Sequence, residues 1–246
     1  MRSSAGWKKV SRTQGWTRPD VAAVLLVLFF LGTCLVSLLA SPPRATKLAA
    51  CASNLRIMGQ AVATWGSDYN DLVPWRTLIL EGGTMPSPGT IKPGAAWFEW
   101  TNLSNHLASP EFLVCPEDTE KHLTTRWSAV DPAEGFLNLT QRDRALSYIV
   151  GCEVFETTPR AMISGDRNIR YDIFGSSCSA RINNVNAIST YLTSSIAGWT
   201  NSIHGLFGNL LFLDGSVERV DNDRFIETIA PPGVDDNGPF HILPPR

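Results

Sequence analysis

Charge imbalance is missing from this chain. Its 21 lysines and arginines oppose 23 aspartates and glutamates, a formal net charge of −2 with a sequence pI near 6.1. That balance builds no basic surface, so nucleic acid is not an expected partner. Zinc-type spacing is missing too: no Cys-x-x-Cys pair and no Cys/His pattern of that kind occurs,. Gly165 precedes Asp166, so it does not open a Gly-x-Ser-x-Gly elbow,. Gly83, Gly89 and Gly94 lack the Lys-Ser/Thr that would make a phosphate loop, which removes the usual nucleotide signal,. Gly175–Ser179 reads as a flexible loop. Neither a fixed-period repeat nor a low-complexity tract is present. These absences leave no nucleophile motif, and an enzyme is not expected.

Charge is also absent from Val21–Ala40, VAAVLLVLFFLGTCLVSLLA, and there the absence is informative. Twenty uncharged residues make a helix about 30 Å long, the hydrocarbon thickness of a bilayer. Arg2, Lys8, Lys9, Arg12 and Arg18 precede it against one acid, Asp20, while only Arg44 and Lys47 follow before Arg56. That asymmetry predicts a cytoplasmic N-terminus and an exported body. The segment is longer than a secretory h-region, and Ser41-Pro42-Pro43 makes a poor cleavage site,. Leu48-Ala49-Ala50-Cys51 reads like a lipoprotein box, but SPPRATK separates it from the apolar core. The reading is therefore a single-pass inner-membrane anchor, with a cleaved signal and a lipidated Cys51 as alternatives.

After Pro42-Pro43, the residues Leu48, Cys51, Leu55, Met58, Val62 and Trp65 step by three or four. This is the apolar stripe of a helix of about 25 residues, ending near Asp68–Asp71. Lys47, Ser53, Asn54, Arg56 and Gln60 should face away. Turn signals fill Trp75–Pro110, with a short helix at Thr101–Leu107. Strand-like runs follow at Phe112–Cys115, Ala145–Val150 and Arg160–Ser164. Asn209–Val220 reads as a hairpin in which Asp214-Gly215 suits a type I′ turn. Arg224–Ile229 reads as a short helix, and PPGVDDNGPFHILPPR as a closing loop. The expected fold class is α+β, a long N-terminal helix packed on an antiparallel sheet. The expected divisions are a basic cytoplasmic leader at 1–20, a transmembrane helix at 21–40, an amphipathic helix at 41–71 and an exported globular domain at 72–246.

Of five cysteines, Cys34 lies in the apolar span and plays a small-hydrophobe role,. Cys51, Cys115, Cys152 and Cys178 are an even set in an oxidising compartment,. Three pairings are open, and Cys51–Cys115 with Cys152–Cys178 is the one we favour.

Four stretches together resemble the type IV prepilin-like proteins, the pseudopilins related to secretion protein G. More narrowly, they resemble the bacterial group with a prepilin-type N-terminus and a C-terminal H-x9-D-G motif. Gly15-Trp16-Thr17-Arg18-Pro19-Asp20-Val21 is similar to the prepilin processing motif. Cys51-Ala52-Ser53-Asn54-Leu55-Arg56-Ile57-Met58-Gly59 is similar to the family's Cys-x-x-Asn-Leu helix. Leu113-Val114-Cys115-Pro116-Glu117-Asp118 is similar to its Cys-Pro-x-Asp turn. His204 and Asp214-Gly215 fit the terminal motif, preceded by Gly165-Asp166-Arg167-Asn168-Ile169. The resemblance implies cutting after Gly15 by a prepilin peptidase and methylation of Trp16. It further implies a pairing of Asp20 with a neighbouring subunit's amino group in the membrane, and thus a pilin-like structural subunit of a type II secretion or type IV pilus-like assembly. Arg18 and Pro19 depart from the family's apolar residues. The alternatives are a non-assembling anchored domain that binds a protein or glycan, and an anchored metal-dependent enzyme.

His204, Asp166, Asp214, Asp118 and Glu117 are the groups able to bind a metal or move a proton. Each also has a bland reading: Asp214 in the hairpin turn, Asp166 at a strand end, His204 bonded to nearby backbone. Calcium is a further candidate at Asp221-Asn222-Asp223 and Asp235-Asp236-Asn237-Gly238, which offer hard oxygens without the EF-hand pattern. No other cofactor is expected. Trp97, Phe98 and Trp100 read as core packing.

Overall fold

The computed structural model describes residues 18–39, 44–87, 94–151, 160–170, 175–178, 182–190, 198–229 and 240–245. The chain forms two compact units, Met1–Pro42 and Pro43–Arg246. In the first, α1 runs Arg18–Leu39, 22 residues. Pro19 sits in its first turn, where a missing N–H costs nothing, and Asp20 there complements the helix dipole. Its large apolar side chains from Val21 to Leu31 are all exposed, from 41% at Val24 to 66% at Phe29. Among the described residues no helix is long and apolar enough to cross a membrane. The side chains of α1 are described from Arg18 to Thr33, 16 positions, against about 20 for a span. Gly15 and Trp16 lie outside the described residues.

The second unit is α+β. Its first helix, α2, is Arg44–Asp68. The stripe residues Cys51, Leu55, Met58, Val62 and Trp65 are each at most 3% exposed. The helix stops where Asn70 and Asp71 take positive φ of 57° and 59°, a conformation these two residue types tolerate better than most. Asn54 departs from the expected outward face. It is half-buried, and its Nδ2 donates to the Val114 carbonyl at 3.0 Å.

The strands are β1 (Tyr148–Gly151), β2 (Met162–Asp166), β3 (Ile169–Arg170), β4 (Gly175–Cys178), β5 (Ile182–Thr190), β6 (Gly198–Trp199), β7 (Phe207–Phe212), β8 (Val217–Asp221) and β9 (Phe240–Leu243). Seven of them form one antiparallel sheet in the order β4-β5-β9-β1-β2-β7-β8, while β3 pairs with β6. Side chains alternate between the faces of a strand, and this alternation divides the core. Tyr148, Val150, Ile163, Leu211 and Leu243 join the α2 stripe in one cluster. Ile149, Met162, Leu210, Phe212 and Ile242 join Phe225 and Ile229 of α4 (Asn222–Ile229) in the other. Both faces of the sheet are thus covered, which explains why the central strands read as continuous apolar runs. Gly59 permits the approach of α2 to β7: a Cβ there would stand 2.9 Å from Leu211 Cδ1.

Several expected elements are different. Phe112–Cys115 is not a strand: Pro110–Leu113 forms a 3-10 turn, with Pro110 in its first turn and the Ser109 hydroxyl accepting from the Glu111 N–H. Gly175–Cys178, expected as a loop, has the backbone of β4 and pairs with β5. The closing segment carries β9, whose FHIL sequence lies between β1 and β5, and the prolines around it had hidden that strand. The helix expected at Thr101–Leu107 begins earlier, as α3 at Ala96–Trp100, and tightens to a 3-10 turn over Thr101–Asn105. Trp100 is buried against Trp75, and Trp97 lies under the Arg142 guanidinium. The β7–β8 turn is not type I′, because positive φ falls on Gly215 alone (79°) and not on Asp214. The Gly215 N–H donates to the Phe212 carbonyl and the Phe212 N–H to that of Ser216, both at 2.9 Å. That is the pattern of a three-residue loop ending in a left-handed glycine.

Candidate functional site

Four separated stretches meet at one corner of the second unit. From α2 come Cys51 and Asn54; from the turn after Leu113 come Cys115, Glu117 and Asp118; from the end of β2 come Asp166, Arg167 and Asn168; from the segment before β7 comes His204. Cys51 and Cys115 are joined by a disulfide across 64 residues. Cys51 is fully buried inside α2 with its sulfur bonded. Cys152 lies outside the described residues, and of Cys178 only the backbone is described.

The turn is fixed on three sides. The Asp118 N–H donates to the Cys115 carbonyl at 2.9 Å, and the Ser147 N–H to that of Leu113 at 2.8 Å. Arg167 clamps the Asp118 carboxylate with two bonds of 2.7 Å and reaches Glu120 at 2.6 Å. Burial alone would raise the Asp118 pKa, but the Arg167 hydrogen bonds and charge outweigh it and hold the group below its ordinary value. Bidentate pairing of this kind is what a guanidinium supplies and an ammonium cannot.

His204 lies at the centre, with no exposed surface. Its Nδ1 is 2.9 Å from Glu117 Oε2, and its Nε2 is 3.2 Å from Asp166 Oδ2 and 3.5 Å from Cys115 Sγ. This corrects the expectation that His204 bonds to nearby backbone. Burial opposes its charged form, yet the hydrogen bonds and charges of Asp166 and then Glu117 prevail, so its pKa is raised above 6.5. Asp166 is itself fully buried. Its Oδ2 accepts from the Asn209 N–H and the Asn209 side-chain amide, while its Oδ1 has no hydrogen-bond partner among the described residues. Burial, and then the Asp166 charge, push the nearby Tyr148 phenol well above its ordinary value, which keeps it neutral. Asn168 Nδ2 lies 3.1 to 3.3 Å from the carbonyls of Thr200, Gly205 and Phe207, and so pins the segment that carries His204.

The donor atoms of Cys51, Cys115 and His204 lie within 4.8 Å of one another. On the solvent side of the corner, a groove of about 430 Å³ is lined by Asn54, Phe112, Val114, Cys115, Pro116 and Asp118 among others. Asp214 stays apart from this cluster. It caps the β7–β8 turn, where hydrogen bonds from the Ser216 hydroxyl and N–H hold its carboxyl below the usual range. Gly215 supplies the left-handed position there. The H-x9-D-G motif is therefore two parts with separate duties.

Asp20 sits in the first turn of α1. Of the calcium candidates, Asp221 Oδ1 accepts the Arg224 N–H and caps α4, while Asn222 Oδ1 accepts the Trp199 N–H. These oxygens have structural duties, and 235–238 lie outside the described residues. The positioning residues Arg167, Asn168 and Asn209 escaped functional assignment in the sequence. The sequence signal for Arg167 and Asn168 is the run Gly165-Asp166-Arg167-Asn168-Ile169, which names neighbours without naming partners, and Asn209 enters only as the first residue of the expected hairpin. No protein-family model, curated protein or solved structure matches the chain.

Proposed function

We propose that the chain is a membrane-anchored, pilin-like structural subunit of a bacterial envelope assembly of the type II secretion or type IV pilus kind. Its N-terminus is cytoplasmic and its second unit exported. The observation that carries the reading is the burial of the α2 stripe on one face of an antiparallel sheet, in a chain whose preceding segment is an apolar helix. A helix that exposes Leu, Val and Phe all round needs cover, and lipid together with the helices of neighbouring subunits would provide it. Its 22 backbone residues make about 33 Å of helix. Val21–Ala40 carries no charge, and the basic residues concentrate ahead of it,. Processing by a prepilin peptidase at Gly15, with Asp20 pairing a neighbour's amino group, completes this reading.

The corner around His204 fits a structural role. Asp166 and His204 are fully buried, the groups around them are bonded chiefly to one another, and His204 presents no surface to a solute. The second reading, a non-assembling anchored domain that binds a protein or glycan, is favoured by one observation: Arg18 and Pro19 stand where the resembling family has apolar residues.

Membrane fractionation with topology mapping tests the anchor. The chain should resist alkaline carbonate extraction, and externally added protease should digest the second unit in spheroplasts. Release by carbonate, or full protection of the second unit in spheroplasts, would overturn the reading.

A further inference from the structure

We propose that reduction of the Cys51–Cys115 disulfide turns this corner into a four-ligand site for a divalent cation of the zinc class, held by the thiolates of Cys51 and Cys115, Nε2 of His204 and the carboxylate of Asp166. The proposal stands on the geometry of the second unit and does not depend on the pilin-like reading.

Four observations converge. First, the sulfurs and the His204 nitrogen already lie within 4.8 Å of one another. Second, two of the six edges are already close to tetrahedral length, and opening the bridge frees the two sulfurs to move apart. Nε2 stands 3.5 Å from Cys115 Sγ and 3.2 Å from Asp166 Oδ2, whereas tetrahedral zinc with bonds of about 2.0 to 2.3 Å has ligand–ligand edges of roughly 3.3 to 3.7 Å. Third, Glu117 holds Nδ1 at 2.9 Å, the carboxylate–histidine arrangement that turns the other ring nitrogen toward a metal. Fourth, Asp166 is fully buried, and its Oδ1 has no hydrogen-bond partner among the described residues.

Electrostatics gives the reason. With Glu117 taking the Nδ1 proton, the Nε2 lone pair faces a carboxylate oxygen and a sulfur. Electron-rich groups converging in a buried place require a cation between them. In the disulfide form a proton on Nε2 serves. In the dithiol form two thiolates join the set, and a divalent metal neutralises what one proton cannot. The ligands come from a helix, a pinned turn, a strand end and a pinned segment, so the ring and the carboxylate are held in place before metal arrives. No local sequence spacing announces such a site, because the two cysteines alone are 64 residues apart.

The chemistry balances with a dithiol as reductant. The dithiol gives two electrons and two protons to the Cys51–Cys115 bridge and closes into its own disulfide. The metal then displaces the two thiol protons and the His204 Nε2 proton to solvent. Oxidised or metal-bound, the same segments stay fastened, so a chain whose bridge has not closed would keep this corner folded.

The test uses the full chain in detergent, reduced with a phosphine, freed of reductant without oxygen and titrated with Co²⁺ and then Zn²⁺. One metal per chain is expected, with a thiolate-to-cobalt charge-transfer band and the intense visible bands of tetrahedral cobalt, both erased by zinc. The oxidised protein is the folded control and should retain no metal through gel filtration. His204→Ala and Asp166→Asn, checked for folding in their oxidised forms, should each weaken zinc binding at least tenfold once reduced. Glu117→Gln should weaken it about 10- to 100-fold. Absence of stoichiometric metal in the reduced protein would overturn the proposal. So would equal binding by the oxidised form, an octahedral cobalt spectrum, or unchanged affinity in His204→Ala.

Discussion

His204 and Arg167 are basic groups held by carboxylates in places that water does not reach well, and their worth is measured by removing one partner. Arg167→Ala would leave Asp118, 5% exposed, without its clamp, and a buried charge stripped of its partner costs about 3 to 5 kcal/mol. Arg167→Lys should recover only part of this, since it cannot make both 2.7 Å bonds,; urea titration of the three proteins checks the order. For His204 the prediction is one of pH. Burial disfavours its charge, but Asp166 and Glu117 raise its folded pKa above 6.5. The stabilisation is therefore complete below the unfolded value and is lost as pH rises through the raised folded one. His204→Gln should remove that slope, so the stability difference between wild type and variant should shrink from pH about 5.5 upward. A constant difference across that range would contradict the assignment. The sequence named His204, Asp166 and Glu117 as candidate groups, but not their meeting. Glu117 and His204 are 87 residues apart, and only the sheet register and the Asn168 clamp bring them to one place.

Among the elements, α2 is the most legible. A stripe at three- and four-residue steps can be read without knowing what it packs against, and every residue of it from Cys51 to Trp65 is buried. Leu55→Ala or Met58→Ala should cost about 2 to 5 kcal/mol, whereas Gln60→Ala on the exposed side should stay within about 0.5 kcal/mol; thermal and denaturant unfolding distinguish them. The disulfide ties this helix to the Cys-Pro turn across 64 residues. In the chain-entropy view, closing a loop of that size contributes about 4 kcal/mol, and strain or residual structure trims such values toward 2. Cys115→Ser should lower stability within that range, read as a shift in urea midpoint against the oxidised wild type. Less legible were β4, β5 and β9. Gly175–Cys178 has no apolar alternation, and Phe240–Leu243 sits between prolines, so their pairing is visible only once neighbouring strands exist. The β7–β8 hairpin shows the opposite error: the turn was placed correctly, but Asp-Gly suggested two left-handed residues where the loop uses only Gly215.

For the molecule as a whole, composition limited the class more than the activity. A balanced charge, an uncharged apolar run and an amphipathic helix before short strands point to an anchored α+β body; the sheet and its two helical covers bear out the α+β class. The proposed envelope role depends on residues 1–17, outside the described residues, and above all on whether Gly15 is a processing site. Intact mass of the protein purified from its native membrane measures that directly. A mass corresponding to loss of residues 1–15 and gain of one methyl group is the predicted result, and it would make filament assembly the working model. An uncleaved mass would contradict the processed-subunit account and leave the non-assembling anchor in its place.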